Sequence, residues 1–217
     1  MLLGGSCWGS PASVVGDDQF SGLLKEKCAP YVDEIAATSK PLPRLPGHET
    51  LQRPALAKEL HALAVLDQEA RSQAIARPGD SEAMAEVQRV DTENLGKLRH
   101  ILRQDEFPTR AMVGSEGVQD AWLLVQHAVD DHSLQVKVLA QLRSRLHSGE
   151  VRAQEYALLT DRVLTQEGKP QIYGTQFDGD FKMQSTRDVA HLDERRHAVG
   201  LPSIAAYTCI VHALYQK

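Results

Sequence analysis

The chain has 217 residues, a net charge of −5 at neutral pH and a hydrophobic fraction of 42%. This length and composition fit one large domain with a real core. The acidic balance, without any Lys/Arg-rich run, argues against nucleic-acid binding through a basic face. No apolar run reaches the roughly 18 residues that a membrane span needs, so we expect no membrane partner.

Three cysteines, Cys7, Cys28 and Cys209, are odd in number and widely spaced. They form neither a CxxC pair nor a disulfide framework, so we expect reduced thiols. The first residues lack the basic segment and the long apolar stretch of a secretory signal. They weakly resemble a lipoprotein cleavage site before Cys7, but Gly4 stands where a large aliphatic residue is usual. We therefore predict a cytoplasmic protein.

The first 50 residues are rich in Gly, Ser and Pro. Three prolines between residues 39 and 47 exclude a helix there, because proline lacks the amide donor and fixes φ. Only residues 19–37 could hold a short helix. We predict a variable, partly disordered N-terminal extension with a Pro-rich linker over residues 1–50, followed by a single helical domain over residues 51–217.

From about residue 54 the apolar residues recur with the period of an α-helix. Glycines, prolines and capping side chains divide this region into five predicted helices. The first begins at about Pro54 and is ended by Arg77, Pro78 and Gly79. The second begins at Asp80 or Ser81 and precedes a loop at 106–114. The third is capped by Ser115, the fourth ends at Gly149, and the fifth spans roughly residues 151–166. The apolar face of the second helix is predicted to begin with Met84 and Val87.

The pattern changes after residue 170. Two short segments flank Asp178, Gly179 and Asp180, which favours a β-hairpin with a glycine in the turn. Helices around residues 188–199 and from Pro202 to about residue 214 follow. The predicted fold class is all-α, a mainly helical, bundle-like domain, with one small β-hairpin near residues 171–184.

Polar residues interrupt the apolar faces of the first two helices. Asp67 and Arg71 continue the stripe of the first helix and, four residues apart, can pair. Asp91 and Asn94 hold equivalent places on the second. Burying such groups costs about 1–3 kcal/mol each if they are unpaired. The pattern indicates a polar site inside the helical core; the alternatives are a surface ion pair and side chains that tie down neighbouring loops.

His127 is the strongest candidate for a catalytic base. It follows an apolar run and Gln126, and Asp130 and Asp131 lie three and four residues further on. A carboxylate that orients an imidazole is the usual arrangement for a general base. The alternative is a core histidine with its hydrogen bonds satisfied. A metal site built from His127, Asp67 and Asp91 is a weaker alternative, and we predict neither metal nor cofactor.

Two later segments carry further polar candidates. Asp161 and Arg162, like residues 193–196, are charged clusters of the kind that usually forms a solvated face. Arg162 would bind an anionic group only if it pointed inward. Residues 171–176, with Tyr173 and Gln176, are either a substrate-contacting loop or a polar turn, and Gly174 permits positive φ or a close backbone approach. The chain has no phosphate-binding glycine loop, no GxSxG and no HExxH motif.

Several ordered motifs together resemble the bacterial family filed as domain of unknown function 6624, over roughly residues 55–207. They are Leu66-Asp67-Gln68 with Arg71, Asp91 with Asn94, Phe107-Pro108-Thr109 with Val113-Gly114, Gln126-His127-Ala128 with Asp130, Asp161-Arg162-Val163, Tyr173-Gly174-Thr175-Gln176, and Arg195-Arg196 with Val199-Gly200-Leu201-Pro202. Phe107 departs from the tryptophan expected there. The resemblance implies no reaction, but its motif residues are mostly polar, as in a family with a shared site.

We predict an enzyme that uses acid–base chemistry, hydrolase-like, on a small polar or peptide-like molecule. His127 would be the base, oriented by Asp130 or by a carboxylate from another helix, with Asp67 and Asp91 as orienting group and partner acid. The predicted substrate contacts are Arg71, Gln126, Arg162, Tyr173 and Gln176. The alternatives are a non-catalytic module that binds a small ligand and a structural or interaction protein with buried polar networks. The sequence does not indicate an oligomeric state.

Overall fold

The computed structural model describes residues 17–38, 50–104 and 106–215. Helices in these ranges are, in chain order, α1 (Asp17–Lys27), α2 (Val32–Thr38), α3 (Pro54–Ala76), α4 (Ser81–Gln104), α5 (Arg110–His127), α6 (His132–Arg145), α7 (Ala153–Gln166), α8 (Leu192–Ala198) and α9 (Ile204–Tyr215). The chain divides into two compact units. We call residues 42–152 the central unit, and residues 1–41 together with 153–217 the terminal unit. The predicted Pro-rich linker at residues 39–47 lies outside the described residues, and the predicted division at residue 50 stays a prediction.

The all-α part of the predicted fold is confirmed, and the predicted β-hairpin near residues 171–184 is wrong. No strand occurs in the described ranges, and this segment makes only two isolated bridges, Gln171 with Thr186 and Phe177 with Met183. The reason is that side chains bind the backbone groups that a strand partner would need. The carboxylate of Asp161 accepts three backbone amides of this segment. Its residues therefore form a loop around a buried acid.

Four helices, α3 to α6, build the central unit. Helix α3 begins with Pro54 in its first turn, where a missing amide costs nothing, and ends two residues before Pro78. It packs along α4 and α5, and Leu60 and Leu63 on this face are buried. Helix α4 is capped by Asp80, whose carboxylate accepts the amides of residues 82 and 83. The predicted boundaries of the first helix and the predicted cap of the second are confirmed.

Two predictions in the central unit need correction. Helix α5 begins earlier than expected, with Thr109 as its cap, and is kinked at Gly114, which has φ 79° and ψ 174°. Ser115 therefore follows a kink inside the helix, and its hydroxyl oxygen accepts a hydrogen bond from Arg110. The face of α4 is also rotated at its start: Met84 is 46% exposed, while Ala83 and Val90 are buried.

The terminal unit is held by a core between its first and last described helices. Its buried members are Phe20, Leu24, Cys28, Ile35, Ala206, Ile210 and Leu214. Within this core Cys28 and Cys209 form a disulfide between residues 181 positions apart. Our expectation of reduced, unpaired cysteines is therefore wrong, because the packing of α1 against α9 brings together two cysteines that sequence spacing could not associate.

None of the helices in the described part of the chain has the length and apolar character required to cross a bilayer.

Candidate functional site

The centre of the candidate site is a buried pair between Asp67 of α3 and His127 at the end of α5. The Nδ1 of His127 lies 2.8 Å from each carboxylate oxygen of Asp67. The exposed fraction is 2% for the histidine side chain and 1% for the aspartate. The sequence placed both residues on apolar helix faces, and the packing of α3 against α5 joins them.

The pair continues into a chain of charges that ends near the surface. One guanidinium nitrogen of Arg71 lies 3.3 Å from Asp67, one turn earlier on α3. The other donates to both carboxylate oxygens of Asp91 on α4, at 2.8 and 3.1 Å. The Asp91 side chain is 21% exposed, whereas that of Arg71 is 7% exposed. The predicted Asp67–Arg71 pair is thus present, and it is buried.

The two carboxylates of this network differ in proton affinity. Burial alone would raise the pKa of Asp67, but the charge and hydrogen bond of His127, the charge of Arg71 and a hydrogen bond from Gln68 together lower it. For Asp91, burial is the largest effect; with the nearby charges of Asp67 and Asp130 it outweighs Arg71, so its pKa is raised. Environments that separate the pKa values of neighbouring acids are typical of acid–base sites.

The geometry fixes which nitrogen of His127 exchanges protons. Because its pKa is lowered, Asp67 is ionised at neutral pH and can only accept hydrogen bonds. The Nδ1 of His127 must therefore carry a proton and donate it to the carboxylate. The other ring nitrogen, Nε2, is then the basic position, as in the orienting arrangement of Asp–His pairs in hydrolases. The partner carboxylate comes from another helix, one of the two predicted alternatives; the other, Asp130, is exposed.

Gln126, the residue before the histidine, is fully buried. Neither its side-chain nitrogen nor its side-chain oxygen has a hydrogen-bond partner among the described residues. A buried polar group without a partner costs about 1–3 kcal/mol. Its backbone carbonyl, by contrast, accepts a hydrogen bond of 3.2 Å from Gln135 of α6.

A second buried polar cluster lies in the terminal unit, around Asp161 of α7. Its carboxylate accepts the amides of Ile172, Tyr173 and Thr175 at 2.8 to 3.2 Å, and the hydroxyl of Thr175 at 3.0 Å. Burial raises the pKa of Asp161 against these bonds. Asp161 thus acts as an internal cap for the loop, and the interpretation of Asp161 and Arg162 as a solvated face is wrong, since they are 0% and 2% exposed.

Arg196 of α8 holds the other side of this loop. Its guanidinium is fully buried, donates to the carbonyls of Tyr173 and Pro202 at 2.6 Å, and lies 4.8 Å from the ring centre of Tyr207. Gly174 has φ 65°, and a Cβ there would lie 2.7 Å from the sulfur of Met183, so the glycine is required. Buried side chains of α7 and α8, together with Gly174, therefore hold this loop in its shape.

The structure therefore brings together Asp67, Arg71, Asp91 and His127 in the central unit. Arg162, Tyr173 and Gln176 belong to the terminal unit, where Gln176 is buried, with its amide donating to Thr175, and Tyr173 is half-buried. Sequence reasoning missed Gln68, which donates to Asp67 at 2.6 Å, and the buried role of Arg196. A signal for Gln68 existed in its adjacency to Asp67; Arg196 sits in a charged run that looks solvated.

Two further features bear on ligands. Within the described ranges, no three His, Cys, Asp or Glu side chains are arranged to hold a metal ion. A cleft of about 420 Å³ lies at the start of α3, where its lining includes Arg53, Glu59 and His100. The residues of the Asp67–His127 network do not line this cleft, so we assign it no part in their chemistry.

Comparison with known sequences places the chain in a family. Residues 54–217 match the model of a family described as "Family of unknown function (DUF6624)". The chain belongs to this family. The matched region of this DUF6624 member includes every residue of the Asp67–His127 network and the Asp161 loop. No curated protein and no solved structure matches the chain.

Proposed function

We propose that the chain is an enzyme that uses His127 as a general base, with hydrolysis of a small polar or peptide-like molecule as its reaction. The observation that carries the proposal is the Asp67–His127 pair. Both side chains are buried, and Nδ1 of the histidine lies 2.8 Å from each carboxylate oxygen. An ionised carboxylate on Nδ1 keeps the imidazole in one tautomer and leaves Nε2 as the basic nitrogen, which is the arrangement that a general base needs.

In the proposed reaction, Nε2 of His127 removes a proton from water while the water oxygen attacks the substrate carbonyl. The ionised Asp67 stabilises the imidazolium that forms and keeps the ring in place. The bond from the carbonyl carbon to the leaving group then breaks, and the leaving group takes the proton from the imidazolium. Asp91, whose pKa is raised by burial, stays the proposed partner acid. Arg71 ties the two acids together, and an anionic substrate group would compete for its guanidinium.

The other predicted substrate contacts, Arg162, Tyr173 and Gln176, stay predictions. The observation that supports Tyr173 and Gln176 as contacts is that Asp161 and Arg196 fix the shape of the loop that carries them. A loop of fixed shape suits substrate recognition, because little conformational freedom is lost when a ligand binds. We propose a small molecule or a peptide as the partner of this loop.

The disulfide supports a compartment other than the predicted cytoplasm. Disulfides persist in oxidising surroundings and are rare where thiols are kept reduced. The Cys28–Cys209 bond lies within a core cluster, with Cys28 fully buried. We propose that the chain works in an oxidising compartment.

The test of the proposed reaction is a panel of chromogenic esters, amides, glycosides and phosphate esters, assayed with purified protein. We expect the wild type to hydrolyse at least one class and His127→Gln to lose 10²-fold or more of that activity. The matched control is His61→Gln. His61 also pairs with an aspartate of the same unit, Asp120 at 3.2 Å, but its side chain is 66% exposed.

The proposal fails if the wild type is inert across the panel, or if His127→Gln and His61→Gln retain equal activity. Retained folding of the His127→Gln variant is checked by its thermal melting. If the wild type and His127→Gln both melt normally and bind a ligand without hydrolysing it at any pH, the result favours the non-catalytic binding module instead.

A further inference from the structure

The side chain of Gln126 is polar at both ends, and neither end is used by the fold. It is 0% exposed, and its Nε2 and Oε1 both lack a hydrogen-bond partner among the described residues. Burial of an unpaired amide is unfavourable, so an apolar residue of similar size would suit the core better. The presence of glutamine here therefore calls for a reason outside the packing.

Other buried amides in the chain show what a structural amide does. The Nε2 of Gln135 donates to the carbonyls of Val125 and Gln126, at 2.9 and 3.2 Å. Asn94 donates to the carbonyl of Leu63. Gln171 uses both ends of its amide on the backbone of its own loop. Gln126 makes none of these contacts, which separates it from the amides that stabilise the fold.

Gln126 and the proposed catalytic base are neighbours along the same helix. Gln126 lies in the last turn of α5, immediately before His127, and the hydrogen bond from Gln135 to its carbonyl fixes the backbone there. Its donor and acceptor lie on one planar edge. The partner that satisfies both at once is another planar amide edge, with a donor beside an acceptor, as in a primary carboxamide or a lactam.

We propose that Gln126 recognises the ligand of this site by pairing both ends of its carboxamide with a primary carboxamide or lactam edge of that ligand. This inference rests on the proposed function for the location of the site, and it narrows the substrate class to molecules that carry such an edge. In this arrangement Gln126 sets specificity, and His127 performs the proton transfer. The edge that Gln126 binds need not be the bond that is cleaved.

The experiment is an NMR titration of the full-length ¹⁵N-labelled chain, observed at the side-chain NH₂ signals of Gln126. These signals are assigned by their loss in Gln126→Met. Three probes distinguish the possible edges. N-acetylalaninamide carries a primary carboxamide, and 2-pyrrolidinone carries a lactam. N-acetylalanine methyl ester replaces the terminal NH₂ with a methoxy group and keeps only a secondary amide, whose N–H and carbonyl point in opposite directions.

We expect the carboxamide or the lactam to shift the Gln126 signals in a saturable way, and the ester to bind at least tenfold more weakly. Gln126→Met and Gln126→Glu should weaken binding of the preferred probe at least tenfold, because the first lacks both polar ends and the second replaces the donor with an acceptor. Gln126→Met should fold and melt no lower than the wild type, because it removes a buried amide that makes no bond in the described structure.

The inference is overturned if neither amide probe shifts the Gln126 signals, if the ester binds as well as the amides, or if Gln126→Met binds the probe unchanged. The His127→Gln variant separates this inference from the proposed function. It should keep probe binding and lose hydrolysis. If His127→Gln loses hydrolysis but the probes bind to neither protein, the catalytic proposal stands and the role of Gln126 is refuted.

Discussion

At the scale of single residues, the site depends on two aspartates that a shared arginine holds in different environments. Asp67 faces His127 and Arg71, which lower its pKa against the effect of burial. Asp91 lies at the partly exposed end, where burial and neighbouring acids raise its pKa despite Arg71. Asp67 is thereby kept ionised beside the histidine, whereas Asp91 stays protonated to a higher pH than an ordinary aspartate.

This difference predicts opposite pH dependences for two asparagine variants. A lowered folded-state pKa makes Asp67 stabilising above the unfolded value of 3.8, and this advantage is lost as pH falls through the folded pKa. Asp67→Asn should therefore cost about 3–5 kcal/mol at pH 7, the usual effect of removing one partner of a buried ion pair, and less as the solution becomes more acidic than pH 3.8.

For Asp91 the sign is reversed. Its folded-state pKa is raised above 3.8, so the wild type should lose stability relative to Asp91→Asn as pH rises from 3.8 through the folded pKa. Urea unfolding of the wild type and both variants at steps from pH 3 to pH 7 measures the two slopes. Slopes of the same sign would contradict the assignment of the two acids.

The residue-scale features that could be predicted are those that interrupt a long apolar stripe. Asp67, Arg71 and His127 stand at such positions, and they meet as the helical period suggests. For Asp161 and Arg162 the sequence left two alternatives open, a solvated face and an inward-pointing arginine, because adjacent opposite charges usually mark a solvated face. A buried carboxylate that caps a loop eleven residues away leaves no local pattern, since its partners are backbone amides, which every residue has.

At the scale of elements, the kink in α5 explains why the sequence suggested a later start for that helix. Gly114 interrupts the helix with φ 79° and ψ 174°, a conformation open essentially to glycine alone. The segment before the kink was predicted as a loop, because a glycine followed by a serine also fits a helix start. The hairpin error has a similar origin: two short segments around a glycine-containing turn suggested strands, but side chains bind the backbone groups of this segment.

Gly114 of α5 and Gly96 of α4 should respond oppositely to alanine. Gly114→Ala should destabilise by about 1–3 kcal/mol, because alanine is strained at this φ and ψ and its Cβ would touch Leu51 at 3.4 Å. A Cβ added at Gly96, inside α4, would have no neighbouring atom within 4 Å, so Gly96→Ala should stabilise by about 0.5–1 kcal/mol. Chemical denaturation measures both. Equal effects of the two substitutions would contradict the described kink.

At the scale of the whole molecule, a covalent bond joins distant parts of the chain within the terminal unit. Residues 17–38 pack on α9 through a small apolar core and the Cys28–Cys209 disulfide. No reading of the sequence could supply this pairing, since it depends on which helices pack together. It is also the basis of our proposal that the chain works in an oxidising compartment.

Removing the disulfide should destabilise the chain and loosen the packing of residues 17–38 on α9. Cys28→Ala with Cys209→Ala should lower the free energy of unfolding by about 2–4 kcal/mol, mainly because the unfolded chain is no longer constrained. Amide hydrogen exchange should become faster in residues 17–38 and 204–215 of the double variant. Cys7→Ala is the control. Alkylation of denatured, unreduced protein should label one of the three cysteines; labelling of all three would mean that the bond does not form.

The most direct test of the central claim is the protonation of the two ring nitrogens of His127, measured by long-range ¹H–¹⁵N NMR at neutral pH and as pH is varied. The Asp67–His127 geometry predicts a proton on Nδ1 throughout, with gain and loss of the proton confined to Nε2, and a loss of this preference in Asp67→Asn. A His127 ring with Nδ1 unprotonated, or one unchanged by Asp67→Asn, would contradict an oriented base at this site.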